Sequence, residues 1–553
     1  MSWWIEHWLQ MRDDSGDKST FPTCEAVERP VGLQLLTQFC STLYSQPSMP
    51  NKSKHINLSA IADKAMVENG FDPTFPDFQI PNGPVTDSSV RDLRNLLWSS
   101  IDDGKTRDLD QVEFAESLPN GDVRLMIGIA DVDAFVPKES PIDEYAATNC
   151  ISVYTGVKTY PMLPEEFSTD LTSLVQGKDR LAVVTEITIT TDGSAKSANF
   201  YRALVQNKAK LSYEEIGAWL EEKSGPPKAV QSVPGLEDQI RLQAEVAERL
   251  IEFRIKLGAI DLGTIQSVPV TDEKGRVTEL KVIEPNAARE LISNFMIAAN
   301  IEMAEFLEAQ GGPSLRRTVR TPKYWDRIVE LAEEVGEKLS PTPDSRALAD
   351  FLARRKKADP LHFPDLSLAV VKSLGPGEYA VQAAGEESEG HFGLAVQDYT
   401  HSTAPNRRFA DLVTQRLVKS ALGRTGIPAR QPAPSGNNSP KDSSVTQPYT
   451  LDELKKIAAR CTNRDSAARK VERKVRKVAA ALMLRDNIGD VFDAIVTGVS
   501  EKGTFARVLR PPVDGRIMKG ERGLRVGDKT RVRLISTDPL KGFIDFERVS
   551  AKR

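Results

Sequence analysis

Four aspartates crowd into nine positions of the chain, and no other sequence feature constrains its fold as strongly. Asp102, Asp103, Asp108 and Asp110 lie within residues 95–114 (NLLWSSIDDGKTRDLDQVEF), between an apolar run and a strand-like VEF. Burying carboxylates together is costly unless a cation compensates their charge. Oxygen ligands at this spacing favour Mg²⁺ or Mn²⁺ over zinc, which prefers His or Cys. An acidic loop that caps a helix is the competing interpretation.

Length and composition indicate a soluble globular protein with two or three domains. The 553 residues can bury a large core, and 40% of them are hydrophobic and 27% charged. The formal net charge of −5 excludes a uniformly basic nucleic-acid binder. It does not exclude a local basic surface, which is what neutralises phosphate.

Cysteine and histidine usage argues against a zinc site and against secretion. The four cysteines form no CxxC pair, and the five histidines are dispersed along the chain. No apolar run approaches the ~18 residues of a membrane span, and the N-terminal MSWWIEHWLQMRDD lacks the basic start of a signal peptide. We therefore expect a cytoplasmic protein with no membrane association.

Hydrophobic periodicity predicts a large α+β (mixed α/β) domain. Residues 123–129 and 181–190 alternate as strands, the first of them half-buried. Residues 239–256, 287–310 and 324–337 show helical spacing. The large domain is expected to span residues 91–486.

The chain also contains segments of biased composition. Residues 427–447 are rich in Pro, Ser, Gly and Asn and are predicted to be a disordered insertion. Residues 455–477 carry ten lysines and arginines against Asp465 and Glu472, at helical spacing. This helix is either a solvated face or a surface that binds phosphates.

The two ends of the chain are predicted to form separate units. Residues 489–553 contain about five short β-rich runs separated by turns, which favours a small OB-type barrel. Its phenylalanines and arginines could stack on and neutralise single-stranded nucleic acid, unless they are core residues. Residues 58–90 are predicted to form a helical segment and linker, and residues 1–57 are a poorly defined N-terminal segment.

Five motifs follow one another along the chain. They are IDDGKTRDLDQ (101–111), IADVDAFV (129–136), YPMLPEEFSTDLTSL (160–174), ELISNFMIAAN (290–300) and HFGLAVQDYTHSTAPNRRFADLVTQR (391–416). In this order they resemble the catalytic domain of the ribonuclease II (RNB) family of exoribonucleases. The resemblance runs from about residue 93 to residue 486, and the barrel resembles the RNA-binding OB domain that ends such proteins.

The resemblance implies that Asp102, Asp108 and Asp110 are catalytic and bind Mg²⁺, with Mn²⁺ as an alternative. Two divalent ions held by carboxylates can activate water and neutralise charge on a phosphate under attack. The fourth family position, usually aspartate, is Gln111 here. Because glutamine ligates only through a neutral carbonyl, we expect one ion to bind more weakly, or Asp103 to substitute.

The resemblance also implies contacts to RNA. Arg407 matches a catalytic arginine that contacts the scissile phosphate, a task that suits a planar bidentate donor. Tyr154 matches an aromatic that stacks on a base near the 3′ end, although a buried strand tyrosine is the simpler interpretation of that residue alone. Arg408 is predicted to be positional. Glu472 matches a family glutamate near the active site, and the family's second stacking aromatic falls near Trp325.

Three further residues of the last motif either depart from the family pattern or have a predicted structural role. Asn406 and Ser402 stand where the family usually has apolar or aromatic residues. Asp411 is expected to orient an arginine or to cap a helix.

The predicted function is that of a magnesium-dependent 3′→5′ exoribonuclease that hydrolyses single-stranded RNA to nucleoside 5′-monophosphates. We expect a monomer that needs no small-molecule cofactor. Residues 1–90 lack the strand alternation of the cold-shock domains that precede the catalytic domain in larger family members, which predicts a short form. The alternative is a non-catalytic RNA-binding regulator on a decayed nuclease fold, which the Gln111 substitution permits.

Overall fold

The structure is a computed structural model that describes residues 57–81, 83, 89–262, 266–272, 277–360, 363–425, 447–501, 503–525 and 527–549. The predicted N-terminal segment, apart from Asn57, lies outside these residues. So does the predicted insertion at 427–447, apart from Gln447.

Strands form the centre of the large domain and all of the C-terminal domain. In chain order they are β1 (Arg91–Asp92), β2 (Ser99–Asp102), β3 (Gln111–Ser117), β4 (Val123–Ala130), β5 (Val153–Tyr154), β6 (Thr159–Tyr160), β7 (Asp179–Ile189), β8 (Ala195–Gln206), β9 (Ala209–Ser212), β10 (Gln266–Thr271), β11 (Val277–Ile283), β12 (Ser314–Thr318), β13 (Glu378–Gln382), β14 (Val491–Ser500), β15 (Gly503–Val508), β16 (Val513–Lys519), β17 (Lys529–Asp538) and β18 (Phe543–Arg548).

Helices surround these strands. They are α1 (Leu58–Glu68), α2 (Pro141–Asn149), α3 (Tyr213–Leu220), α4 (Lys228–Gln231), α5 (Leu236–Leu257), α6 (Ala287–Ala309), α7 (Trp325–Glu334), α8 (Ser345–Ala358), α9 (Phe363–Leu374), α10 (Phe409–Thr425) and α11 (Leu451–Met483), with short 3₁₀ or π turns at Val132–Ala134, Phe167–Leu171, Phe392–Leu394 and Leu484–Asn487. The three long helices predicted from periodicity correspond to α5, α6 and α7, within a few residues at each end. None of the described helices is long and apolar enough to cross a membrane.

The main sheet has seven strands in the order β1-β8-β7-β4-β3-β2-β9. It is antiparallel except for the β1–β8 and β2–β9 pairs. Strand β4 alternates as predicted, but the prediction that it is half-buried was wrong. Leu125 and Ile127 enter the core beneath α3, α5 and α6, while Met126 and Ala130 enter a second core against α10 and α11. Because helices cover both faces, both sets of side chains are buried.

Helix α11 joins the parts of the molecule. It is 33 residues long, about 50 Å at 1.5 Å per residue, and begins with a capping box between Thr450 and Glu453. Helix α1, predicted from the sequence, packs against its middle through Ala62, Ala65 and Met66. The C-terminal part of α11 packs on the barrel. The basic segment predicted to be helical therefore has a packed face and a solvated face.

The C-terminal domain is the predicted OB-type barrel, closed in the order β14-β15-β16-β18-β17. Phe546 fills its core with no exposed surface, whereas Phe505 and Phe543 are 37% and 58% exposed. The core interpretation is therefore correct for Phe546, and the other two rings remain available for stacking. The predicted combination of a mixed α/β domain, an N-terminal helix and a β-barrel is confirmed.

Candidate active site

A cavity of about 340 Å³ opens between the main sheet, α6, α11 and the β5–β6 hairpin. It brings together residues that are up to 374 positions apart in the sequence, from Asp102 to Arg476. Its walls include eight of the residues that the sequence assigned to the site: Asp102, Asp108, Asp110, Gln111, Tyr154, Arg407, Arg408 and Glu472.

The backbone around β2 and β3 places the aspartates. Asp102 is the last residue of β2, and Asp110 immediately precedes β3, with its carbonyl accepting the Ala130 N–H at 2.9 Å. Between the aspartates of the sequence DLD, Leu109 is buried in the core, and its N–H is bonded to Ser173 Oγ at 3.0 Å. Alternate residues of an extended segment point to opposite sides, so Asp108 and Asp110 point away from the core into the cavity.

Two of the carboxyl groups are buried without full compensation. Asp102 and Asp110 are 8% and 2% exposed, and one oxygen of each, Asp102 Oδ2 and Asp110 Oδ1, has no hydrogen-bond partner among the described residues. Burial raises the pKa of Asp102 to about 7, and the charge of Asp110 adds to the shift. Burial raises the pKa of Asp110 to about 6, against the opposing effect of Arg407. The site holds more negative charge than its own cations neutralise.

Gln111 takes part in this cluster as a hydrogen-bond donor. Its Nε2 donates to Asp102 Oδ1 at 3.2 Å, and it is 5% exposed. This bond opposes the rise in the pKa of Asp102. An aspartate at the same position would add a charge beside Asp102 and could not donate, so Gln111 lowers the number of cations that the site requires.

Asp103 is engaged elsewhere. Its Oδ1 accepts from Arg289 Nη2 at 2.7 Å, and its side chain is 55% exposed. Arg289 also contacts Glu214 at 3.3 Å and stacks over the ring of Tyr213, 4.3 Å from the centroid. Asp103 therefore serves as the partner of Arg289, and this geometry does not favour the expected substitution for Gln111.

Arg407 points into the cavity from the loop before α10. Its carbonyl accepts the Ser152 N–H at 2.9 Å, and Phe409, two residues further on, donates its N–H to the Cys150 carbonyl at 2.8 Å. Arg407 Nε donates to Asp110 Oδ2 at 2.8 Å. Burial opposes the charged form of Arg407, but Asp110 outweighs it and raises the pKa of the guanidinium. Arg407 is held permanently charged beside the aspartates.

Tyr154 couples the β5–β6 hairpin to the cluster. Its hydroxyl donates to Asp108 Oδ2 at 2.8 Å, and its backbone N–H donates to Glu472 Oε1 at 3.1 Å. Burial and the charge of Asp108 hold the pKa of Tyr154 well above its usual value, so the hydroxyl keeps its proton. The tyrosine therefore orients Asp108, while Glu472 fixes the backbone of Tyr154.

The remaining polar residues of the arginine loop are paired internally. Arg408 Nη2 donates to Asp411 Oδ1 at 2.7 Å, and the same oxygen accepts the Ala404 N–H at 2.8 Å, so Asp411 orients an arginine as expected. Asn406 pairs with Thr172, and Ser402 donates to Asn300 Oδ1 at 2.8 Å.

Trp325 does not belong to this site. It is buried in the core formed by α7, α8 and α9, with its Nε1 donating to the Ser340 carbonyl at 2.8 Å. The sequence-based placement of a second stacking aromatic near this residue has no support in the cavity. Arg289 and Arg476, which do line the cavity, were not singled out from the sequence. Arg476 follows Glu472 by four helical positions, a spacing that could have identified it.

The donor atoms suit a hard divalent cation, although they do not form a closed shell. No group of three or more His, Cys, Asp and Glu side chains within the described residues is arranged to hold a metal ion. Two of the candidate ligands are already engaged by protein donors: Asp108 Oδ2 accepts a hydrogen bond from Tyr154, and Asp110 Oδ2 accepts one from Arg407. The two partnerless carboxylate oxygens are nevertheless the type of ligand that Mg²⁺ and Mn²⁺ prefer.

Comparison with protein families assigns the large domain. A family model described as the RNB domain matches residues 90–424, more than half of the chain. The chain belongs to the RNB family. A second model, described as the RNase II-type exonuclease C-terminal S1 domain, matches residues 490–549, which form the barrel.

Several relatives of this RNB protein are ribonucleases R. That of Thermotoga maritima is 29% identical over 485 residues, covering 82% of this chain and 64% of the relative. That of Escherichia coli is 27% identical over 490 residues, covering 84% and 58% respectively. The chain spans roughly three fifths of the length of these relatives.

Solved structures share the fold at low sequence identity. Mycoplasma genitalium RNase R in complex with ribose-methylated single-stranded RNA has a TM-score of 0.76 and 22% identity, covering 89% of this chain and 78% of that one. Yeast Ssd1, described as a pseudonuclease, has a TM-score of 0.62 and 16% identity, covering 83% and 55%. The RNB fold is therefore also found in a protein described as a pseudonuclease. Whether this chain is catalytic has to be judged from the side chains of the cavity.

Proposed function

We propose that this RNB protein is a magnesium-dependent 3′→5′ exoribonuclease that hydrolyses single-stranded RNA to nucleoside 5′-monophosphates. One observation carries the proposal. Three aspartates and a charged arginine line the same cavity, where two carboxylate oxygens lack partners among the described residues. A protein that only binds RNA has no use for buried acidic oxygens, because they repel phosphate.

Asp102 and Asp110 would hold a divalent ion through their partnerless oxygens, and Asp108 would join them through the carboxylate oxygen that does not accept from Tyr154. When bound, such an ion lowers the pKa of a coordinated water and neutralises charge on the phosphate under attack. The same charge would relieve the repulsion between the buried aspartates.

The protein's own groups account for orientation and charge stabilisation. Arg407 presents a planar guanidinium that Asp110 holds from one side. A planar guanidinium suits two oxygens of one phosphate, and charge that develops there is stabilised by a donor already in place. Tyr154 keeps Asp108 oriented and offers a ring face to the terminal base.

The size of the cavity favours attack on a strand end. A volume of about 340 Å³ is at the lower end of the range for small-molecule pockets. An internal linkage would require RNA on both sides of the linkage to enter this space, whereas a strand end requires it on one side only. This supports the release of single nucleotides from one end.

The test uses a 5′-labelled single-stranded RNA and a circular RNA of the same sequence, each incubated with the protein and Mg²⁺. We expect the linear RNA to shorten from its 3′ end with nucleoside 5′-monophosphates as products, and the circle to resist. Cleavage of the circle would indicate an endonuclease. Tight binding without shortening, in Mg²⁺ and in Mn²⁺, would assign the chain to the non-catalytic RNA-binding class.

Replacing Gln111 with aspartate should change the metal dependence. Without divalent ions, we expect Gln111→Asp to lose about 1–3 kcal/mol of unfolding free energy, because the bond to Asp102 is replaced by repulsion. With ions, the Mg²⁺ concentration for half-maximal turnover should fall about tenfold, which corresponds to 1.4 kcal/mol of ion binding. Thermal melts measure the loss of unfolding free energy. Turnover at a series of Mg²⁺ concentrations measures the shift in metal dependence, and Mn²⁺ titration calorimetry measures ion binding directly.

The exposed Gln231 provides the control for this substitution, since Gln231→Asp adds the same charge away from the cavity. Equal Mn²⁺ affinities for Gln111→Asp and the unaltered protein would contradict the role assigned to Gln111.

Two substitutions at Tyr154 should separate the hydroxyl from the ring. Tyr154→Phe keeps the stacking face but leaves Asp108 without its donor, so turnover should fall several-fold while the final undigested oligonucleotide keeps its length. Tyr154→Ala should weaken RNA binding about tenfold and lengthen that oligonucleotide, because stacking contributes ~1–3 kcal/mol per base. Denaturing gels and binding titrations measure both, and an identical end product for Tyr154→Ala would exclude the stacking role.

A further inference from the structure

The cavity contains four arginines, and three of them are already compensated. Arg407 bonds to Asp110 at 2.8 Å, Arg408 to Asp411 at 2.7 Å, and Arg289 to Asp103 at 2.7 Å. Arg476 lines the same cavity but forms no hydrogen bond or ion pair with the residues that the structure describes. Its charge is available to an anion from outside the protein.

Arg476 lies on the side of the cavity that faces the barrel. It is four residues beyond Glu472 on α11, so both project from one face of the helix about 6 Å apart along its axis. Glu472 contacts Tyr154 at the aspartate end. Ser267 of β10, which also lines the cavity, donates to the Pro512 carbonyl of the barrel at 3.4 Å. Arg476 therefore stands between the aspartates and the C-terminal domain.

The barrel acid whose charge acts on Arg476 is paired with another arginine. Asp514 accepts two hydrogen bonds from Arg507, at 2.9 and 2.8 Å. Burial opposes ionisation of Asp514, but Arg507 outweighs it and lowers the pKa to about 2.

The surroundings of Arg476 are on balance unfavourable for a cation. Burial and the charge of Arg507 lower the pKa of Arg476, and the charges of Asp514 and Glu472 offset this only in part. A group of cations that disfavour one another's charge is stabilised by a bound anion.

We propose that Arg476 binds a backbone phosphate of the RNA strand upstream of the scissile linkage, where the strand passes between the catalytic domain and the barrel. The proposal rests on the proposed function, because it assumes that RNA enters this cavity with its 3′ end at the aspartates. It assigns Arg476 to substrate binding and not to the chemical step. Arg407 acts at the scissile phosphate, and Arg476 fixes the position of the strand that leads to it.

The test combines a charge-removing variant with single neutral linkages in the RNA. A series of 5′-labelled oligonucleotides, each with one methylphosphonate at a successive position from the 3′ end, is titrated with the full chain in EDTA. For the unaltered protein, one upstream position should weaken binding about tenfold. Arg476→Gln should weaken binding of unmodified RNA by a similar factor and be insensitive to the methylphosphonate at that position. The salt dependence of binding should also fall by about 0.7 in slope.

Lys456→Gln is the matched control. It removes the same charge from an exposed position of α11, about 30 Å from Arg476 at 1.5 Å per residue, and should keep the methylphosphonate profile of the unaltered protein. If Arg476→Gln does not fold, Arg476→Lys tests the proposal: it keeps the charge and the salt slope but loses the bidentate donor, so the methylphosphonate penalty at the upstream position should shrink, and an unchanged penalty would overturn the assignment.

The outcomes separate this proposal from the proposed function. An unchanged profile and salt slope in Arg476→Gln would overturn the assignment of Arg476, whether or not the protein degrades RNA. A profile that changes as expected in a protein that never shortens RNA would support Arg476 as a phosphate ligand and overturn the exoribonuclease proposal alone.

Discussion

Asp110→Asn should lower turnover of single-stranded RNA about 10³-fold or more and leave RNA affinity within about twofold. The substitution keeps the shape of a side chain that is 2% exposed and removes the charge that a divalent ion would need. It also removes the ionic partner of Arg407. Metal-assisted stabilisation amounts to several kcal/mol, and each 1.36 kcal/mol corresponds to a factor of ten in rate. Single-turnover assays and anisotropy titrations in the same buffer measure the two quantities.

The exposed Asp238 of α5 gives the control, because Asp238→Asn removes the same charge on another surface. We expect Asp110→Asn to melt within a few degrees of the unaltered protein, since loss of repulsion with Asp102 offsets loss of the bond to Arg407. A parallel loss of binding and turnover would show that Asp110 supports the cavity and not the reaction. Turnover within tenfold of the unaltered protein would remove Asp110 from the catalytic group.

The sequence was sufficient to predict that the aspartates cluster, because they lie within nine positions of one another. Three of the aspartates fall within the turn between β2 and β3, and the apolar Leu109 between two of them determines which side chains enter the cavity. Tyr154 lies 46 positions beyond Asp108, and Arg407 lies 297 positions beyond Asp110. They were predicted from resemblance, and backbone bonds from Ser152 to Arg407 show how the fold brings them together.

The sequence could not reveal which of these polar side chains pair with one another. That Asp103 pairs with Arg289, 186 positions away, depends on where α6 begins relative to β2. That Gln111 donates to Asp102 depends on the orientation of a single amide. Strand β4 was predicted to be half-buried because alternation shows which residues share a face, but not that helices cover both faces.

The fold alone does not show whether the chain is catalytic, because it resembles the folds of both a ribonuclease R and the pseudonuclease Ssd1. A catalytic chain differs from a pseudonuclease in whether its cavity contains buried carboxylates that no cation of the protein neutralises. Asp102 and Asp110 keep partnerless oxygens at buried positions, where carboxylates that bind no cation are costly. This is why the largest predicted effects concern Asp110 and the arginine bound to it.

Arg407→Lys should lower turnover about 10²–10³-fold while weakening RNA binding only a few-fold. Lysine keeps the positive charge, but it is a single ammonium group that cannot bond to Asp110 and also present two parallel donors to a phosphate. Loss of a pre-positioned donor to developing charge costs about 2.7–4 kcal/mol, which sets the size of the effect. Arg241→Lys, at an exposed position on α5, is the control and should keep full activity.

The double variant Asp110→Asn with Arg407→Lys decides whether the two residues act as one unit. If Asp110 both orients Arg407 and binds the divalent ion, either substitution alone removes most of the rate. The double variant should then be little slower than Asp110→Asn, far from the product of the two single effects. Multiplicative effects would mean that Arg407 stabilises the phosphate independently of Asp110. In that case the 2.8 Å bond between Arg407 and Asp110 would exist only in the free protein. Arg407 would leave Asp110 when it binds the phosphate of the RNA.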